Sequence, residues 1–266
     1  MKAILVMHSL WLYRHFIFSV VKQEFILRYR GSLLSLVWAI INPLVLIIVY
    51  TLIFSQIMQS KLSDTSDPFA YSIYLCAGLL PWSFFTEVIT RSQTMFLDSA
   101  NLLKKSNFPR LCLPIIVIST ALINFFILFA LFIIFLLLSH HFPGWILLAI
   151  FPVLMIQLLL SLSLGIFTAT LNVFFRDIGH CMDIILQFWF WLTPIVYPIQ
   201  ILPAKLSSWL RLNPMLAPIN AYQNLIQKHS IPDWISLFPV LLLSMIMLLL
   251  AGLTYRSFSG ELVDEL

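Results

Sequence analysis

The sequence is poor in charge, glycine and cysteine. Only 10% of its 266 residues are charged and 61% are hydrophobic, whereas an ordinary soluble domain has about 25% charged residues. One soluble core could not bury so much apolar surface, which excludes a soluble enzyme, a nucleic-acid-binding domain and a secreted disulfide scaffold. With a mean hydropathy of +0.99, the chain is predicted to be an all-α integral membrane protein.

The few glycines, cysteines and histidines also exclude particular sites. None of the seven glycines stands in a GxxxxGK[ST] or GxGxxG arrangement, so no phosphate-binding loop is predicted. Cys76, Cys112 and Cys181 lack metal-ligand spacing and are expected to be small buried residues. His140 and His141 have no acidic or cysteine neighbour, so we expect interfacial histidines and no metal site. A membrane-embedded transferase stays open as an alternative because of this pair.

Six apolar runs are long enough to cross a bilayer, which takes roughly 20 residues. Five are uninterrupted, and the fifth in chain order is broken by Pro194 and Pro198. The predicted spans cover about 32–58, 70–95, 113–139, 145–172, 182–202 and 234–255. The chain then divides into a cytoplasmic N-terminal part (1–31), a transmembrane domain (32–256) and a tail (257–266).

The basic residues predict the orientation of these spans. Eleven of the fifteen lie on one side if all six runs span, and only Lys61, Lys205, Arg211 and Lys228 lie on the other. The excess of positive charge marks the cytoplasmic side, so both termini are predicted to be cytoplasmic. The outer segment 203–232 is too polar to span and too apolar for a free loop. It is predicted to form two short helices that dip back into the outer leaflet.

Two cytoplasmic segments are predicted to be short helices. Residues 9–30 form an amphipathic helix along the membrane surface. Its polar face carries His15, Ser19, Lys22, Gln23 and Arg30, and its flank carries a Glu24–Arg28 pair. This helix is either an anchor or a docking surface for a cytoplasmic partner. Residues 98–114 predict a short basic helix that ends before Pro109, unless the loop only sets topology.

Polar residues recur at helical spacing inside three predicted spans. The proline-broken span carries Asp183, Gln187, Trp191, Pro194 and Pro198 on one stripe, which either lines a cavity or forms a packed interface. The fourth span carries small and polar residues that favour close helix packing. They are Gln157, Ser161, Gly165, Thr168 and Asn172. In the second span, Glu87 and Arg91 are one turn apart and are expected to neutralise each other.

Four blocks of the sequence resemble the membrane subunit of ABC-2 type exporters. They are RYRGSLLSLVWAIINPL (28–44), NLLKKSNFPRLCLP (101–114), NVFFRDIGHCMDIILQFWFWLTPIVYP (172–198) and LNPMLAPINAYQNLI (212–226). The similarity is greatest to the branch that exports O-antigen, capsule or teichoic-acid polymers on a lipid carrier. It extends over nearly the whole chain.

The resemblance implies a transport subunit that makes and breaks no bond. It implies a homodimer in the bacterial inner membrane, paired with two copies of a separate nucleotide-binding ATPase subunit that would hold ATP and Mg²⁺. The expected substrate is a lipid-linked polysaccharide such as O-antigen, the surroundings are membrane lipid, and no nucleic acid is involved. An ABC-2 exporter of a small amphiphile or lipid is the alternative.

The resemblance also implies two sets of functional residues. The candidates for a polymer channel are Trp38, Trp82, Phe85, Asp183, Gln187, Trp189, Trp191 and Tyr197. The candidates for contact with the ATPase are His15, Lys22, Arg28, Arg30, Lys104, Lys105 and Arg110. Two positions depart from the family pattern, since relatives often have Gly in place of Ser35 and Arg in place of Gln223. The loss of that Arg leaves the charge of the substrate open.

Overall fold

The computed structural model describes residues 11–29, 45, 69–105, 109–262 and 265. Over these residues the chain is helical and has no strand, as predicted. Apart from Val45, the first predicted span (32–58) lies outside the described residues, and so do Arg30 and Trp38. The side chains of Arg28 and Lys105 also lie outside the description.

The described residues form nine α-helices and two 3-10 turns. The helices are α1 (Arg14–Tyr29), α2 (Ala70–Asp98), α3 (Ala100–Lys105), α4 (Cys112–Leu138), α5 (Ile150–Phe174), α6 (Asp177–Trp191), α7 (Ala204–Leu210), α8 (Leu216–Gln227) and α9 (Trp234–Phe258). The 3-10 turns are Gly144–Ala149 and Ile199–Ile201. The predicted helices of the N-terminal segment, of the 98–114 loop and of the 203–232 segment are therefore present as α1, α3, α7 and α8.

Four of these helices are long and apolar enough to cross a membrane: α2, α4, α5 with its preceding turn, and α9. They coincide with four of the predicted spans. Helix α6 has only 15 residues, so regular helix covers only part of the predicted proline-broken span (182–202). The helix ends at Trp191 because Pro194 has no N–H to donate and disfavours helical backbone at the residue before it. The predicted stripe therefore does not continue to Pro194 and Pro198, which lie buried beyond the helix.

Helices α2 and α5 pack along each other at the centre of the described helices. Helix α4 packs against α2, and α9 packs against α5. Helix α1 lies against α4, and α8 fills the space against α2 and α5. Helix α2 is the least apolar of the four long helices and the most buried. Its polar groups need partners inside the protein, whereas α4 and α9 can turn most of their apolar surface to lipid.

The closest approach of α2 to α5 depends on a glycine. A Cβ atom built on Gly165 would lie 2.5 Å from the Cβ of Ser92 and 2.6 Å from its Oγ. The predicted polar stripe of α5 is buried throughout and faces this contact. About two turns away along α5, the Nε2 of Gln157 donates to the carbonyl of Pro81, the proline inside α2. Close packing by small and polar residues is confirmed.

The cysteines differ from one another in burial. Cys76 and Cys112 are buried, as expected, whereas Cys181 is exposed. The prediction was wrong for Cys181 because α6 buries only Met182 and Leu186. Most of its circumference is left uncovered by the other described helices.

We expect Gly165→Ala to destabilise the protein, because the added methyl group overlaps Ser92. Overpacking of a tight contact typically costs about 1–3 kcal/mol. The midpoint temperature of thermal unfolding in detergent and the amount of protein in the membrane should both fall. Gly252→Ala is the matched control, since no atom lies within 4 Å of a Cβ at that position of α9. The double variant Gly165→Ala with Ser92→Gly should recover stability, and equal behaviour of the two single variants would contradict the packing account.

Candidate functional site

Helix α6 presents a broad uncovered face. The polar Asp183 and Gln187 and the aromatic Phe188 and Trp191 are all exposed, the last by 59%. The predicted stripe thus holds from Asp183 to Trp191. Among the described residues, this face of α6 points away from the core.

A cleft of about 270 Å³ separates α6 from α2. On the α6 side it is lined by Asp183, Gln187 and Phe190, together with Leu186. On the α2 side it is lined by Trp82, Thr86 and Thr90. Residues four apart lie on one face of a helix, which places the last three in a row along the cleft.

Hydrogen bonds position Asp183 at the cleft. The buried Gln93 donates from Nε2 to the Oδ1 of Asp183 at 3.1 Å. Asn172, at the end of α5, donates to the Gln93 carbonyl at 2.8 Å and accepts from the N–H of Gly179 at 3.0 Å. One side chain therefore ties the beginning of α6 to α2, and the neighbouring amide fixes the orientation of the carboxylate.

The aromatic channel candidates divide between the core and the cleft. Phe85 has no exposed surface and is packed at 5.3 Å, ring to ring, against the half-buried Trp189. The prediction that Phe85 lines a channel is therefore wrong: Phe85 is a core residue, because a side chain without free surface cannot face a passing substrate. Trp82 is only 6% exposed, and its free edge lines the cleft beside Phe190, at 5.7 Å between ring centroids.

The irregular segment after α6 is held by side chains from other helices. The hydroxyl of Tyr71 donates to the carbonyl of Val196 at 2.8 Å. The hydroxyl of Tyr74 lies 3.1 Å from the carbonyls of both Pro194 and Tyr197. The buried Gln223 donates to the Pro194 carbonyl at 3.3 Å. Gln223, at a position where relatives often have Arg, therefore has a structural partner in this chain.

Asn213 fixes the end of α6 through four hydrogen bonds. Its Oδ1 accepts from the Nε1 of Trp189 at 2.7 Å and from the N–H of Met215 at 2.9 Å. Its Nδ2 donates to the Oγ1 of Thr193 at 2.9 Å and to the carbonyl of Leu192 at 3.2 Å. A single amide therefore joins the last turn of α6, the break that follows it and the start of α8.

The channel candidate Tyr197 belongs to the same segment. Its hydroxyl donates to the carbonyl of Trp191 at 2.7 Å, which leaves the Trp191 ring at the surface. Trp191 is the last residue of α6, and Tyr197 lies six residues beyond it in the irregular segment.

Helices α1 and α3, which carry the ATPase-contact candidates, lie in one cluster at the predicted cytoplasmic end. Phe16 and Ile17 of α1 and Leu102 and Leu103 of α3 pack in the same group of residues. His15, Lys22 and Lys104 are exposed. Arg110 differs from these, because its Nη1 donates to the carbonyl of Ser259 at 2.7 Å and so ties the start of α4 to the end of α9.

An ion-pair network attaches α1 to the long helices. Arg91 forms 3.0 Å contacts with Glu87 on its own helix and with Glu24 of α1. Thr120 of α4 also donates to Glu24, at 3.1 Å, and Asn124 donates to Glu87. The predicted Glu87–Arg91 pair is confirmed. Glu24, predicted to pair along α1, makes these contacts across to α2 and α4.

No group of metal-ligating side chains occurs in the described part of the chain. His140 is exposed with a φ of 61°, and the Nδ1 of His141 lies 2.6 Å from the carbonyl of Ser139. The histidine pair thus forms part of the turn after α4.

Comparison with protein families decides the class of this molecule. The model for the family described as ABC-2 type transporter matches residues 15–226. The chain belongs to this family. The matched range contains the cleft, the irregular segment and the network around Arg91.

Relatives of this ABC-2 chain include named polysaccharide transporters. An O-antigen export system permease protein RfbA of Myxococcus xanthus is 30% identical, with 97% of this chain and 98% of the relative aligned. A protein of the same name from Klebsiella pneumoniae is 28% identical over 77% of this chain and 78% of its own. The polysialic acid transport protein KpsM of Escherichia coli is 22% identical over 88% and 90%.

Several residues around the cleft were not predicted from the sequence. Thr86 and Thr90 follow Trp82 at steps of four, a periodicity that is visible in the sequence. Gln93 and Asn213 gave no such signal, because their partners are 90 residues away at Asp183 and 24 residues away at Trp189.

We expect Asn213→Ala to destabilise the segment between α6 and α8. The indole N–H of Trp189 and the N–H of Met215 would lose their acceptor, and an unsatisfied buried group costs about 1–3 kcal/mol. Proteolysis in detergent should cut residues 192–215 faster, and the thermal midpoint should fall. Lys205→Ala, at an exposed position of the same outer segment, is the control. Unchanged proteolysis of Asn213→Ala would contradict this role.

Proposed function

We propose that this chain is the membrane subunit of an ABC exporter that moves a lipid-linked polysaccharide, such as O-antigen, across the inner membrane. The observation that carries the proposal is the 30% identity to an O-antigen export permease over 97% of this chain. The α2–α6 cleft supports it, because sugars offer both hydroxyl groups and apolar C–H faces. Carboxylate, amide and threonine groups can form hydrogen bonds with the hydroxyl groups, and aromatic rings can pack against the C–H faces.

The conduit is proposed to form between two copies of the chain. The cleft is open at the surface of the described subunit, and the neighbouring side chains of Ile184, Ile185 and Phe188 on α6 are exposed. A second copy related by a two-fold axis would close this side and place two such clefts around one passage. The exposed faces of α4 and α9 would remain in contact with membrane lipid.

ATP and Mg²⁺ are proposed to bind to a separate ATPase, with one copy per permease. The contact surface would include His15 and Lys22 of α1 and Lys104 of α3. Their two helices pack together, and α1 is tied to α2 through Arg91. Movement of the ATPase against α1 would therefore be transmitted to α2, the helix that forms one wall of the cleft.

Six spans are proposed, with both termini in the cytoplasm. Residues 32–58 would supply the first span. Helix α6 and the irregular segment after it would together supply the fifth, with α7 and α8 inserted in the outer leaflet. Irregular backbone at membrane depth requires partners within the protein, and Tyr71, Tyr74 and Gln223 provide them here.

Cysteine labelling tests this topology. In a chain with Cys181→Ser, Lys205→Cys should react with an impermeant maleimide in intact cells. Arg256→Cys should react only after the membrane is opened, because the positive-inside rule places this residue in the cytoplasm. Both positions are exposed. Labelling of Arg256→Cys from outside would remove one span from the count.

Export of polysaccharide tests the function. The chain and its ATPase are expressed in cells that lack their own exporter, and surface polymer is measured per molecule of permease. Export should require both proteins. Trp191→Ala should lower export several-fold because it removes an exposed ring, and Trp191→Phe should retain most of it.

Folding and transport are separated by measuring the permease in the same membranes. Trp191 is 59% exposed, so its removal should cost well under the about 3–5 kcal/mol of a buried Trp. Trp145→Ala is the control, at an 88% exposed position before α5, and should leave export unchanged. Normal export per molecule by Trp191→Ala would contradict a channel role for this ring.

A further inference from the structure

The lining of the α2–α6 cleft has the chemistry of a site for one sugar unit. At about 270 Å³, the cleft is slightly smaller than the roughly 300 Å³ lower limit of pockets for drug-sized ligands. Trp82 and Phe190 supply apolar surface. Thr86, Thr90 and Gln187 supply neutral hydrogen-bonding groups, and Asp183 supplies a carboxylate.

Asp183 is the one titratable side chain in the described lining of this cleft. The hydrogen bond from Gln93 holds its Oδ1 and leaves the other oxygen available to accept from a ligand. The cation nearest along α2, Arg91, lies on another face of the helix and contacts two carboxylates. The described lining therefore offers negative charge and no opposing positive charge.

We propose that this cleft is a charge-selective saccharide subsite. It admits an uncharged or amino-bearing sugar unit and disfavours a unit that carries a carboxylate or phosphate. The inference rests on the proposed function and deepens it, since it names the class of polymer that the exporter prefers. Sugar hydroxyls would donate to Asp183, and the C–H face of the ring would lie on Trp82 or Phe190.

The expected discrimination follows from Coulomb's law. Two unit charges about 5 Å apart in a water-filled cleft repel each other enough to weaken binding about fourfold, and more strongly where water is excluded. Asp183→Asn removes this repulsion and retains an oxygen that can accept from Gln93. The variant therefore changes the charge while keeping the shape of the site.

The experiment uses the purified permease–ATPase complex and two probes that differ in charge and in one methyl group per sugar unit. Hexagalacturonate carries a carboxylate on each unit, and its methyl ester carries none. Dissociation constants are measured by tryptophan fluorescence at low salt. The wild-type complex should bind the ester at least about fourfold more tightly, whereas Asp183→Asn should bind both probes within twofold of each other. High salt should reduce the wild-type preference.

Asp177→Asn is the matched control. It removes the same charge from the exposed first turn of α6, about 9 Å along the helix from Asp183, and should keep the wild-type preference. A preference that Asp183→Asn retains, or equal binding of the two probes by the wild type, would overturn charge selection at this residue. Absence of binding to either probe would overturn the subsite itself. The cellular export measurement judges the proposed function separately.

Discussion

Every polar group of the backbone that lies at membrane depth needs a partner inside the protein, and in the proposed topology this constraint governs the region around α6. The helix ends at Trp191 and the next regular element begins only at Ile199. Water is absent from the hydrocarbon region, where each unsatisfied carbonyl or N–H costs several kcal/mol. Side chains from α2 and α8 therefore donate hydrogen bonds to carbonyls of this segment, which has no regular helix to pair them. Tyr71, Tyr74 and Gln223 serve this purpose.

Helix α2 connects the two ends of the molecule because its faces have different tasks. One face carries Trp82, Thr86 and Thr90 along the cleft. Another carries Glu87 and Arg91, which hold α1 and contact α4. Trp82 and Arg91 are nine residues apart, or about 14 Å along a helix. A single helix therefore joins α1 to the cleft.

The rigidity of α2 has its own packing basis. Its contact with α5 is close enough that Gly165 and Ser92 leave no space for a methyl group, and Gln157 bonds the Pro81 carbonyl at the proline in the helix. Helix α6 lacks such support on most sides, since only Met182 and Leu186 are buried. This sparsely covered helix is also the one that carries the exposed carboxylate, amide and aromatic groups of the cleft region.

The sequence by itself determined the properties that depend on neighbours along the chain. The apolar runs predicted four long helices close to their observed bounds, and Pro194 predicted the break after α6. The four-residue spacing of Glu87 and Arg91 predicted their ion pair, which is present at 3.0 Å. The four blocks of similarity led to the family.

Only the tertiary structure decided which side of each helix is covered. Phe85 and Trp191 are both aromatic residues in apolar runs, yet one is fully buried and the other is 59% exposed. In a soluble protein, hydrophobic periodicity separates such positions because the surface faces water. Around a membrane helix, lipid and protein interior are both apolar, so the pattern is nearly the same on both sides. The partners of Gln93 and Asn213 also became visible only when distant segments were brought together by packing.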